Sequence, residues 1–86
     1  MDSSQTSTRD TVEIRDLGLA AALVSLSYAL DGTVRNNTGR VYFIFADSYS
    51  LQQSIKSYWN NELEVGARSY ADAMKSLKNL IYGERY

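Results

Sequence analysis

The sequence predicts an α+β domain: a small two-layer sandwich with element order β-α-β-β-α-(extended)-α and an antiparallel-centred sheet of strand order 1-3-2. Three observations carry this expectation. Thr11–Arg15 alternates polar and apolar residues with a period of two, the mark of a half-buried strand. Arg40–Ala46 (RVYFIFA) is apolar on both faces, which suits a strand in the middle of a sheet. Elsewhere apolar residues recur at helical spacing, first as Leu19, Leu23, Leu26 and Leu30, then as Tyr70, Ala73, Met74, Leu77, Leu80 and Ile81.

The elements follow in order. Val12 and Ile14 face one side of the first strand, while Thr11, Glu13 and Arg15 face the other. Asp16 is placed to cap a helix by accepting a backbone N–H bond in the first turn. That helix is expected to run through Leu30 and to end at Asp31-Gly32, where glycine takes the left-handed conformation. Thr33–Arg35 reads as a short strand and Asn36–Gly39 as a hairpin loop, since Asn and Gly accept positive φ. In the third strand Val41, Phe43 and Phe45 share one face; Tyr42 and Ile44 share the other.

Asp47 is the expected cap of a second helix, with Ser50 and Gln53 as a second capping arrangement, and Asn60-Asn61 ends it. Glu62–Val65 alternates and is either a fourth short strand or a docked loop. Ser69 with Asp72 opens the third helix and Gly83 closes it. With a helical connection between the first two strands and a hairpin between the next two, the third strand lies centrally and the helices cover one face.

With 86 residues the chain holds one domain, residues 11–86, preceded by a Ser/Thr-rich segment, residues 1–10, that reads as a flexible tail. There is no cysteine, hence no disulfide framework and no thiolate metal site. There is no histidine, so the commonest general base and metal ligand are both missing. The 9 basic and 10 acidic residues are spread evenly, which argues against duplex DNA binding by overall charge. The N-terminus lacks a signal-peptide pattern, and the longest apolar stretch, Leu17–Leu30, is too short and too interrupted to span a bilayer. A soluble cytoplasmic protein of a microbe or a virus is expected, with no membrane partner and no cofactor.

Four segments together resemble a known family: Asp16–Ala21 (DLGLAA), Arg40–Asp47 (RVYFIFAD), Tyr58–Val65 (YWNNELEV) and Tyr70…Ala73…Leu77-Lys78. They are similar to a small family of uncharacterised bacterial and phage domains with a D-L-x-L-A-A-x-L helix start, a V-Y-F-x-F strand, a Y-W-N-x-E-L-x-V turn and a Y-x-x-A-x-x-x-L-K helix. The resemblance covers about residues 12–82 and implies a phage or mobile-element setting, but no chemistry. The chain departs from that pattern at Ser27-Tyr28, where members tend to carry a glycine near the helix end, and in its Asn-rich hairpin.

The candidate sites are surfaces. Glu62 and Glu64 lie two apart but have no third carboxylate near them in sequence, so a cation site is not expected. The five glycines form no phosphate-binding loop. Catalysis is therefore not expected. The favoured reading is a non-catalytic accessory or interaction module that contacts a protein partner or a second copy of itself through Tyr42, Ile44, Trp59 and Leu63. The alternative is a single-stranded nucleic-acid-binding domain in which Arg35 and Arg40 hold phosphates and Tyr42 stacks on a base. The third-strand motif of RNA-recognition domains is only partly present, because Val41 stands at its glycine position and Ile44 at its second stacking aromatic.

Overall fold

The structure, a computed structural model, describes residues 10–83. The elements are β1 (Thr11–Ile14), α1 (Leu17–Ser25), β2 (Leu30–Arg35), β3 (Val41–Ala46), α2 (Tyr49–Trp59) and α3 (Ala67–Gly83). The sheet order is β1-β3-β2, with both outer strands antiparallel to β3. This is the α+β topology that the two periodicities predict. The expected tail, residues 1–10, lies outside the described residues except for Asp10, whose carbonyl accepts a bond from Asp47 N–H and so extends the β1–β3 ladder.

Phe43 and Phe45 of β3 are fully buried and form the centre of the core. Ile14 lies opposite Phe43, and Val12 and Leu30 lie opposite Phe45, on the side that the helices cover. α1 contributes Leu19, Leu23 and the buried run Ala20–Ala22. α3 packs most extensively against α1 and contributes Ala73 and Leu77, while α2 contributes Leu51. Three adjacent alanines present no long side chains, so the neighbouring helix approaches closely.

Several boundaries differ from expectation, each for a local reason. α1 starts where predicted, with the Asp16 carboxylate accepting from Leu19 N–H at 2.8 Å. It ends at Ser25 rather than continuing through Leu30. Ser27 takes φ +76°, Tyr28 N–H donates to the Leu23 carbonyl (3.1 Å) and Ser27 N–H to Val24 (2.9 Å). These two bonds satisfy carbonyls at the helix end and turn the chain away. Leu30 then belongs to β2, which starts three residues earlier than Thr33.

At α2 the cap is Ser48, not Asp47 or Ser50; its hydroxyl accepts from Leu51 N–H at 3.0 Å. The Asp47 carboxylate instead accepts from the Gln52 side-chain amide at 3.0 Å. Asn60-Asn61 ends α2 as expected, with Asn61 at φ +62° and Glu62 N–H donating to the Ser57 carbonyl. Glu62–Val65 forms no strand and is a loop with Leu63 and Val65 half-buried. α3 begins at Ala67, two residues before Ser69, because the Gly66 carbonyl already accepts from Tyr70 N–H.

The hairpin is held by Asn36. Its side-chain oxygen accepts from Thr38 N–H (3.0 Å), the Thr38 hydroxyl (2.7 Å) and Arg40 N–H (2.9 Å). Asn36 and Arg40 close a loop of residues 37–39, in which Gly39 alone takes positive φ, at +88°.

Candidate functional site

All three helices lie on one side of the sheet, so the other side is uncovered among the described residues. Strand alternation decides what lies there. Thr11 pairs with Ala46, Glu13 and Gly32 with Ile44, and Val34 with Tyr42. Tyr42, Ile44 and Ala46 are half-buried, Val34 is 48% exposed, and none of the four packs against the core. The centre of this open face is thus apolar, with Thr11 and Glu13 exposed along β1.

The candidate residues do not all converge. Tyr42 and Ile44 share the open face, and Arg40 precedes them on the same parity and is exposed. Arg35 does not join them. It pairs with Val41, on the helix-covered side, and its guanidinium donates to the Gly39 carbonyl (3.0 Å) and the Ile81 carbonyl (3.4 Å). A cation there complements the carbonyl-rich end of α3.

Trp59 is 62% exposed and meets Tyr58 edge-to-face at 5.0 Å. It lines an open groove of about 620 Å³ between β1 and α2, together with Val12, Ile14, Ile55 and Arg40. Leu63 lies apart, half-buried in the loop between α2 and α3.

Two polar contacts were not legible beforehand, since both join residues remote in sequence. The Tyr58 hydroxyl donates to the Asp16 carboxylate at 3.3 Å, over the first turn of α1. A Cβ on Gly18 would come within 2.7 Å of the Tyr58 oxygen and 3.3 Å of those of Tyr70 and Asp16, so a side chain there would displace the Tyr58 hydroxyl. Burial, the Asp16 charge, the hydrogen bond to it and Tyr70 together raise the Tyr58 pKa above its ordinary value. The second contact is Tyr28, whose hydroxyl donates to Ser50 and lies 3.0 Å from that of Ser54. Both tie α1 or its exit to another helix. Among the described residues, no group of three or more His, Cys, Asp or Glu side chains is arranged to hold a metal ion, and no helix is long and apolar enough to cross a membrane.

Fold and surface define a small α+β domain with helices on one face of a three-stranded sheet and an apolar patch on the other. The chain belongs to the family described as Domain of unknown function (DUF5659), whose model matches residues 9–83. This agrees with the resemblance read over residues 12–82. No curated protein and no solved structure matches the chain.

Proposed function

We propose that the domain is a non-catalytic interaction module that presents the open face of its sheet to another protein. The observation that carries this reading is the uncovered face itself, with Tyr42 and Ile44 at the centre and Val34 and Ala46 beside them. A half-buried apolar centre that no element covers, with polar residues at its edge, is the anatomy of a contact surface. The chemistry of the chain points the same way. Histidine and cysteine are absent, and Tyr58 is shifted upward, away from the range in which a general base works near neutrality.

Single-stranded nucleic acid on the same face is the rival reading. It has less support, because Tyr42 lies on that face while Arg40 lines the groove between β1 and α2 and Arg35 engages carbonyls on the helix side.

A photo-reactive residue replacing Ile44 tests both readings in cells, with one replacing the exposed Leu80 of α3 as control. The expected result is an adduct of protein mass from position 44, absent from position 80 and lost when Tyr42→Asp is added. A nuclease-sensitive adduct would favour the rival. Absence of any adduct at position 44 would overturn the proposal.

A further inference from the structure

Among the described residues the sheet has a second unpartnered feature, the outer edge of β1. Because Asp47 N–H bonds to the Asp10 carbonyl, the even-numbered residues of β1 exchange their backbone bonds with β3. The N–H and C=O groups of Thr11 and Glu13 therefore point outward, and so do those of Arg15 if the strand is continued by one residue. An edge strand of this kind is a template for another strand.

Charged side chains ordinarily discourage such pairing. Here, however, Glu13 and Arg15 are exposed, opposite in sign and two residues apart. Among the described residues neither takes part in an ion pair. Two antiparallel copies of this strand related by a twofold axis at Ile14 set each Glu13 directly opposite the other copy's Arg15, on the same face of the sheet. The same two residues are then the hydrogen-bonded pair, so backbone and side-chain complementarity coincide in one register. Moving the axis to Glu13 would oppose two like charges, which is unfavourable. In the first register the groove between β1 and α2, with its exposed Trp59, meets its twin across the axis.

We infer that two copies of this chain join along β1, with Glu13 opposite Arg15, into a continuous six-stranded sheet. Its occupant is a second copy because the strand is complementary to itself in charge and in direction. The open face stays uncovered in this arrangement, so the inference stands independently of the reading given to Tyr42 and Ile44.

Light scattering on the full chain, over a concentration series at low salt, reads the outcome. A mass rising to twice 9.7 kDa is expected, with affinity falling as salt screens the charges. Arg15→Glu should weaken association by about tenfold or more, and Glu13→Arg should do the same. The double exchange Glu13→Arg/Arg15→Glu should restore it, which a general loss of folding would not. Glu13→Pro removes an outward N–H together with the carboxylate and breaks no bond to β3, so it should abolish association with the thermal melt retained. A monomer at every concentration overturns the inference. So does a dimer indifferent to Arg15→Glu and Glu13→Pro; if that dimer is lost instead with Ile44→Asp, the open face is the contact between copies.

Discussion

Ser27 sits in a conformation that suits glycine. At φ +76° its Cβ crowds the backbone, yet the two bonds that end α1 require that conformation. Ser27→Gly should stabilise the domain by about 0.5–1 kcal/mol, read as a higher denaturant midpoint. A lower midpoint would mean that the serine's backbone restriction of the unfolded chain outweighs the strain. Tyr58 offers a second test at this scale. Its pKa is raised in the folded state, so its contribution is complete below the ordinary tyrosine value of 10.0 and is lost as pH rises through the higher folded value. Stability of the wild-type chain should therefore fall more between about pH 9 and about pH 12 than that of Tyr58→Phe. Parallel stability–pH curves for the two proteins would rule out this linkage.

Among the elements, the β2–β3 hairpin shows how one residue sets a face. A two-residue turn at 37–38 would pair Arg35 with Arg40 and put both on the open side. The loop instead includes Gly39, so Asn36 pairs with Arg40 and Arg35 with Val41. One position of slip turns every side chain over, and Arg35 is carried to the helix side. Asn36 holds this register through three accepted bonds. Asn36→Ala should lower stability by about 1–2 kcal/mol. An unchanged denaturation midpoint would show that water replaces those bonds. α1 makes the complementary point. Leu26 and Leu30 continue the spacing set by Leu19 and Leu23, so they read as helix. Leu30 fits equally well opposite Phe45 in a strand, and the bulge between Leu30 and Gly32 then restores the phase of β2. Local spacing does not separate these alternatives.

For the whole molecule, stability rests on one thin core. Phe43 is 1% exposed and has strand neighbours on both sides, Ile14 and Thr33. Phe43→Ala should cost about 3–5 kcal/mol. A chain of this length has a total stability of about 4–13 kcal/mol, so that single truncation should unfold a large share of the molecules at the low end of the range. A circular-dichroism melt that coincides with wild type would contradict the central place of β3.

The doubly apolar central strand and the amphipathic third helix were legible in the chain, because periods of two and of 3.6 residues are local properties of consecutive side chains, and strand order followed from the helical connection and the hairpin that join the strands. The pairing of Tyr42 with Ile44 on one face follows from the same alternation. The end of α1, the side taken by Arg35 and the closure of Tyr58 over Gly18 were not legible. The first and last depend on contacts between residues distant in sequence, Leu30 with Phe45 and Tyr58 with Asp16, and the second on whether the hairpin loop holds two residues or three. Spacing along a chain fixes which residues share a face, but only packing against a partner element chooses among registers that spacing leaves equivalent.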